Sequence, residues 1–268
     1  MNYKIDYVDI GDTKLRYLQF GEGDIPLVII PGLSLVSVIE TAELLVNLFQ
    51  DFTSGYTLYV IDRRGEVPDS FCVRDFAVDE LKAIKALGLK GEKGIDQLYV
   101  FATSLGGMIA FHMAIMQPNK INKALIASST CRFTESLQSF ANNLSTLADQ
   151  GKKWDLVKYM GDMVYTEEYM KENENAFKAF AESMTDANLE HFSQVCRSIK
   201  PFDLSSKIKR LPMELFVVGA TKDALFGDEE TKYIQSINGC KSYIYQGSCH
   251  CLYDLEEDFR PMMLEFFE

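Results

Sequence analysis

Basic residues are scarce in this 268-residue chain, which contains 27 Lys and Arg against 39 Asp and Glu and has a formal net charge of −12. A surface that binds nucleic acid needs a stripe of positive charge along the phosphate backbone. This composition does not provide such a stripe, so we expect no nucleic-acid partner. The acidity is more consistent with a role in solubility.

Long apolar runs are also missing. No run approaches the roughly 20 apolar residues that a membrane-spanning helix needs, so we expect no membrane partner. Residues 1–6 lack the basic region and the apolar stretch of a signal peptide. The expected location is therefore the cytoplasm.

The chain has no metal-site spacing and no Cys-x-x-Cys pair. Its six cysteines are scattered, and Cys249 and Cys251 flank His250 in a pattern that matches no common metal site. Free thiols are the expected state of cysteines in a cytoplasmic protein of this size. We therefore predict no metal and no organic cofactor.

What the chain does contain is an ordinary globular composition, 47% hydrophobic and 25% charged, at a length that suits one large α/β domain. Between residues 26 and 130, short apolar runs typical of buried strands alternate with amphipathic or apolar helical segments. This alternation predicts a mostly parallel sheet with helices on both faces. Eight strands are predicted, at residues 3–10, 13–20, 26–30, 57–61, 97–103, 121–127, 211–219 and 241–245. Helices are predicted at residues 37–50, 75–87, 108–116, 228–237 and 256–267.

The alternation stops at residue 131. From there to residue 200 we find no convincing strand, and helices are predicted at residues 133–150, 154–164, 167–181 and 188–199. We interpret residues 1–130 and 201–268 as the α/β core and 131–200 as a helical cap inserted into it. The cap could be a lid over a site or a purely structural subdomain, and its position in the chain does not decide between them.

The most informative segment is the predicted strand that ends in Ser104. A strand, a sharp turn carrying a serine and a buried helix together form a nucleophile elbow. Such a turn requires very small residues two positions before and two positions after the serine, and Ala102 and Gly106 meet this requirement. The start of the helix would offer free N–H groups near the serine hydroxyl.

A second turn offers another N–H group. The predicted strand at residues 26–30 ends at Pro31 and Gly32, and glycine lets the backbone approach a ligand closely. The backbone N–H of Leu33 is therefore a candidate oxyanion donor.

A serine nucleophile needs a general base, and a histidine base needs a carboxylate partner. The chain has three histidines, and only His250 follows a predicted strand. His112 lies within a predicted helix, and His191 lies in the predicted cap. We therefore select His250 as the base.

The acid is selected by the same reasoning. Asp223 follows the predicted strand at 211–219 by a short loop, at the edge where the carboxyl ends of parallel strands meet. Asp228 is the second candidate, although it also fits the start of the next helix. Asp62 follows another strand, and we interpret it as a residue that holds the turn at Arg63 and Arg64.

Together these segments resemble the α/β-hydrolase superfamily along nearly the whole chain. The matching segments are Pro31-Gly32-Leu33, Asp62-Arg63-Arg64-Gly65, Ala102-Thr103-Ser104-Leu105-Gly106-Gly107, Gly219 through Asp223, and Gly247 through His250. The chain departs from the family pattern at Ala102, where glycine is usual, and before Gly32, where many relatives have histidine.

The resemblance implies a serine hydrolase that forms an acyl-enzyme. In that mechanism Ser104 is the nucleophile, and the N–H groups of Leu33 and Leu105 bind the oxyanion. The expected substrate is a small or medium acyl compound, most simply a carboxylic ester. The resemblance leaves open a thioesterase, a small-substrate peptidase or an enzyme that cleaves carbon–carbon bonds. A non-catalytic ligand-binding protein on the same scaffold is the alternative outside the enzyme class.

Overall fold

The structure is a computed structural model that describes residues 2–91 and 97–268. Its eight strands are β1 (Tyr3–Asp9), β2 (Lys14–Phe20), β3 (Ile25–Ile30), β4 (Tyr56–Ile61), β5 (Leu98–Thr103), β6 (Ile121–Ala127), β7 (Glu214–Ala220) and β8 (Lys241–Tyr245). Its α-helices are α1 (Ala42–Leu48), α2 (Val73–Ala86), α3 (Leu105–Met116), α4 (Glu135–Asp149), α5 (Lys153–Val164), α6 (Glu167–Glu172), α7 (Glu174–Ser183), α8 (Asp186–Arg197), α9 (Ser205–Ile208), α10 (Glu229–Asn238), α11 (Leu252–Leu255) and α12 (Phe259–Phe267).

All eight strands form one sheet in the order β1-β2-β4-β3-β5-β6-β7-β8. The β1–β2 and β2–β4 pairs are antiparallel, and the other five pairs are parallel. The antiparallel hairpin turns at Gly11, whose φ of 102° lies in the region that favours glycine. The predicted eight-stranded, mostly parallel sheet is confirmed.

The order of the parallel strands determines where a ligand can bind. From β3 the chain first moves to β4 on one side and then returns to β5 on the other side of β3. In open α/β sheets, the crevice for ligands lies at such a reversal, beyond the carboxyl ends of the strands. The turns after β3 and β5 therefore border this crevice, and they contain Leu33 and Ser104.

Both faces of the sheet are covered, as the side chains of β3 illustrate. Val28 and Ile30 pack in the same hydrophobic core as residues of α2 and α3. Leu27 and Ile29 point to the opposite face and pack with residues of α1 and α12. Because the central strand β5 is enclosed on both sides, all six of its residues are buried.

Helices α4 to α8 follow β6 and precede β7, within the segment predicted to be all-helical. The chain enters and leaves this segment side by side. Phe133 N–H donates to the carbonyl of Phe202, and Leu204 N–H donates to that of Cys131, at 2.8 and 2.9 Å. The two ends of this helical segment are therefore held next to each other.

The predicted single helix over 167–181 is wrong in one respect, because the structure divides this region into α6 and α7. The break falls at Asn173, whose ψ of 13° departs from helical geometry and whose side-chain amide donates to the carbonyl of Tyr169. Asparagine side chains commonly compete for backbone hydrogen-bond partners, which explains why α6 ends at Asn173.

The predicted helix over 256–267 begins only at Phe259, after the separate short helix α11.

None of the helices in the part of the chain that the structure describes is long and apolar enough to span a membrane. All six cysteines are free thiols.

The close contact of α3 with β3 leads to a prediction about stability. A Cβ atom added at Gly106 would lie 1.9 Å from the carbonyl oxygen of Ile30, which is backbone and cannot move aside easily. We expect Gly106→Ala to lower the free energy of unfolding by about 1–3 kcal/mol, as measured by urea denaturation. Gly65→Ala is the matched control, because nothing lies within 4 Å of a Cβ at that position. Equal effects of the two substitutions would contradict the packing argument.

Candidate active site

Ser104 occupies a strained turn between β5 and α3. Its φ of 49° and ψ of −118° lie outside the regions that non-glycine residues favour, and such strain is concentrated at functional sites. Its N–H donates to the carbonyl of Ala127 at 3.0 Å, which ties the turn to the end of β6. Ala102 is completely buried, and Gly106 leaves no room for a side chain. The predicted serine turn is therefore present, with the small residues that it requires.

Two backbone donors face no partner of their own. Leu105 begins α3, so its N–H lacks an acceptor within the helix. Among the described residues, the N–H groups of Leu33 and Leu105 make no hydrogen bond. The start of a helix also carries partial positive charge, which favours a developing anion.

His250 and Asp223 form a buried pair at the ends of β8 and β7. His250 Nδ1 lies 2.9 Å from Asp223 Oδ2, and the two residues are 2% and 5% exposed. The other carboxylate oxygen, Oδ1, accepts from the N–H groups of Leu225 and Phe226 at 2.8 and 3.1 Å. With Nδ1 as the donor to this carboxylate, Nε2 of a neutral His250 is an unprotonated base.

The other candidate acids lie elsewhere. Asp228 stands at the start of α10, and its carboxylate contacts Lys232 Nζ at 2.6 Å. Asp62 accepts from the N–H of Arg63 at 3.0 Å and from the hydroxyl of Ser37, in keeping with its predicted role in the turn. Of the three acids considered, the structure brings only Asp223 into contact with His250.

The other two histidines, His112 and His191, make contacts away from Asp223. His112 is buried in α3 against the ring of Phe202, and burial lowers its pKa to about 4. His191 Nε2 lies 2.8 Å from the carbonyl oxygen of Arg64. No cluster of three or more His, Cys, Asp or Glu side chains in residues 2–91 and 97–268 could hold a metal ion.

A cavity of about 310 Å³ connects these parts. Leu33, Ser104 and His250 all line it, although no hydrogen bond joins the serine and histidine side chains among the described residues. Such catalytic contacts are often loose in free enzymes. Side chains from the helical segment also line the cavity, namely Phe140, Val157, Met160, Tyr165, Phe177 and Phe180.

Two serines after β6 hold the site together, and sequence reasoning did not identify them. Ser128 Oγ donates to the carbonyl of His250 at 2.6 Å. Ser129 Oγ donates to the carbonyl of Ser104 at 2.7 Å. Their position directly after the predicted strand at residues 121–127 was the available signal in the sequence.

Arg63 was likewise not identified as part of the site. Its Nη2 donates to the carbonyls of Pro31 and Gly32, each at 2.8 Å. The Gly32 N–H donates to Thr103 Oγ1 at 3.0 Å. The Gly32 carbonyl shares a planar trans peptide with the Leu33 N–H, so holding the carbonyl fixes the direction of the N–H. Arg63 thereby orients the Leu33 N–H, the candidate oxyanion donor, through the Gly32 carbonyl.

A buried carboxyl group lies near Arg63. Glu80 is 7% exposed, its Oε2 has no hydrogen-bond partner, and burial raises its pKa to about 8. The charge of Arg63 opposes this increase, whereas Asp79 and Asp62 add to it. Burial in turn lowers the pKa of Arg63.

Glu80 gives a prediction about the pH dependence of stability. Its pKa in the folded state exceeds the ordinary value of 4.5, so the folded protein binds a proton that the unfolded chain releases. Its contribution to stability is complete below pH 4.5 and is lost as the pH rises towards 8. The side chain in Glu80→Gln stays neutral at every pH. We therefore expect the free energy of unfolding of the variant, relative to that of the wild type, to increase by more than about 1 kcal/mol between pH 5 and pH 8.

Urea denaturation at pH 5, 6, 7 and 8 measures this difference. Glu43→Gln serves as the control because Glu43 is exposed on α1, and its difference from the wild type should not change with pH. A constant difference between Glu80→Gln and the wild type would contradict the increase in the pKa of Glu80.

Comparison with known proteins supports the same fold and class. The model of the alpha/beta hydrolase fold family matches residues 25–257. The chain is 20% identical over 218 residues to 3-oxoadipate enol-lactonase 2 from Acinetobacter baylyi, covering 81% of this chain and 79% of that protein.

Two solved structures have the same architecture. The enol-lactonase from Burkholderia xenovorans superimposes with a TM-score of 0.81 at 16% identity, covering 98% of this chain and 99% of that one. The 2-hydroxy-6-oxo-6-phenylhexa-2,4-dienoate hydrolase from Rhodococcus gives a TM-score of 0.78 at 14% identity, covering 99% of both chains. With a family model that matches most of its length, the chain belongs to the alpha/beta hydrolase family.

Proposed function

We propose that this chain is a serine hydrolase that cleaves a small or medium acyl substrate, most simply a carboxylic ester. The observation that carries the proposal is the buried contact between His250 and Asp223 on the same cavity as the strained Ser104 turn. The names of two similar proteins add support, because both are enol-lactonases and a lactone is a cyclic ester.

In the proposed mechanism, Ser104 Oγ attacks the carbonyl carbon of the substrate while His250 Nε2 takes the hydroxyl proton. The carbonyl oxygen gains negative charge and accepts hydrogen bonds from the N–H groups of Leu33 and Leu105. The carboxylate of Asp223 stabilises the imidazolium that forms.

The tetrahedral intermediate then collapses. The bond to the leaving group breaks, His250 returns its proton to that group, and an ester between Ser104 and the acyl group remains. Water, deprotonated by His250, attacks this ester, and the acid is released with Ser104 regenerated.

The cavity supports a substrate of modest size. Its volume of about 310 Å³ is at the lower end of ordinary small-molecule pockets, and aromatic and aliphatic side chains make up much of its lining. We propose that residues 131–200 act as a lid over it. Helix α5 contacts the residue next to the proposed general base His250, since the Cys251 N–H donates to the Val164 carbonyl at 2.9 Å.

The proposal is tested by incubating the protein with a fluorophosphonate probe and with a short-chain 4-nitrophenyl ester. We expect labelling and turnover by the wild type and a loss of turnover of at least about a thousandfold in Ser104→Ala and His250→Ala. His191→Gln is the histidine control and should stay within a few-fold of the wild type. Folded wild-type protein that neither labels nor turns over would contradict the hydrolase and favour a ligand-binding protein.

Arg63 provides a second test, because it orients the N–H of Leu33 without lining the cavity. We expect Arg63→Met to lower kcat by roughly ten- to a hundredfold and to change KM less than threefold, since the oxyanion forms only during reaction. Arg74→Met, at an exposed position on α2, is the control. An effect of Arg63→Met confined to KM, or to thermal stability, would contradict the positioning role.

A further inference from the structure

A second chamber adjoins the candidate active-site cavity. It measures about 90 Å³ and shares Pro31, Leu45, Thr103, Tyr253 and Asp254 with the larger cavity. Thr103 immediately precedes Ser104, so the chamber begins beside the proposed nucleophile. At roughly 30 Å³ for each water-sized group, it can accept about three such groups.

The walls of this chamber are mostly apolar, with one cation among them. Ile29 and Phe101 contribute from the sheet, and Leu48 and Phe49 contribute from the end of α1 and the residue after it. Arg260 contributes from the first turn of α12. A group that enters the chamber therefore leaves water and meets a single guanidinium.

Arg260 is partly exposed, and its guanidinium makes no hydrogen bond or ion pair with any residue that the structure describes. Its Nη1 is inaccessible to solvent and makes no hydrogen bond, and no carboxylate among the described residues lies within 4.0 Å of it. A buried donor without an acceptor is unfavourable, and more so when the group is charged. A carboxylate is the ligand that suits it best, because guanidinium binds carboxylates through short, charge-assisted hydrogen bonds.

Among the described residues that line the chamber, Asp254 is the one with an acidic side chain. Desolvation by the surrounding protein raises the pKa of Asp254 to about 6, whereas the hydrogen bond from Tyr165 and the charge of Arg260 oppose that increase. Tyr165 provides its hydrogen bond, a long one of 3.5 Å from the hydroxyl to Oδ2. Asp254 therefore does not form an ion pair with Arg260, and when ionised it would weaken the binding of an anion.

We propose that this chamber binds a carboxylate carried by the substrate, a few bonds from the carbonyl that Ser104 attacks, with Arg260 as its partner. This inference rests on the proposed serine hydrolase and narrows its substrates to esters or lactones of short dicarboxylic acids. Arg260 acts here as a specificity residue.

The test compares two esters whose acyl chains have the same length. These are 4-nitrophenyl valerate, which is neutral, and mono-4-nitrophenyl glutarate, which ends in a carboxylate. We expect Arg260→Gln to lower kcat/KM for the glutarate ester by roughly ten- to a hundredfold and for the valerate ester by less than threefold. We expect Asp254→Asn to raise kcat/KM for the glutarate ester at pH 8.

Arg210→Gln is the matched control, because it removes the same charge at an exposed position that lines neither chamber. Equal losses on both esters in Arg260→Gln would overturn the proposal and assign Arg260 a structural role. The absence of any loss on the glutarate ester would overturn it as well.

The neutral ester separates this inference from the proposed function. If the wild type cleaves the valerate ester and Arg260→Gln affects both esters equally, the serine hydrolase proposal stands and the proposed carboxylate site in the chamber is contradicted. If the wild type cleaves neither ester, calorimetric titration of Ser104→Ala with glutarate tests the chamber alone. Binding that Arg260→Gln weakens at least tenfold would support it, and the absence of binding would overturn it.

Discussion

The close approach of three backbone segments at Ser104 is the constraint on which the rest of the site depends. Strand β5 must end, reverse and begin α3 within a single residue, and α3 must pass directly over the end of β3. Gly106 permits this contact, since any side chain would collide with the Ile30 carbonyl. The same geometry brings the free N–H of Leu105 near the end of β3, where Leu33 offers a second donor. The packing of β5, α3 and the end of β3 around Ser104 thus maintains its strained backbone conformation.

Much of this could be predicted from the sequence, because the fold depends on patterns that are local. Apolar runs such as residues 98–103 and the small residues at 102 and 106 specify buried strands and a tight turn without knowledge of any distant contact. Asp223 and His250 could be selected because parallel strands bring their carboxyl ends to one edge. The break between α6 and α7 was missed because Asn173 ends a helix through its own side chain within an otherwise continuous helical pattern.

The supporting residues could not be predicted, for a different physical reason. Arg63 acts on the Pro31 and Gly32 carbonyls, which are some 30 positions away in the chain, and nothing in either segment specifies that pairing. Ser128 and Ser129 are ordinary loop residues until β6 is placed between β5 and β7. Arg260 is one charge among many until the fold buries its Nη1 away from every hydrogen-bond acceptor of the described residues. Each of these roles depends on the register of elements that are distant in sequence.

The proposed chemistry requires that Ser104, the Leu33 N–H and the Leu105 N–H act together on one carbonyl group. A crystal structure of the protein after reaction with a fluorophosphonate tests this requirement, because the phosphoryl oxygen mimics the oxyanion. We expect phosphorus to be bonded to Ser104 Oγ, with the phosphoryl oxygen about 2.7–3.1 Å from both backbone nitrogens. An adduct on another residue, or a phosphoryl oxygen turned away from both N–H groups, would contradict it.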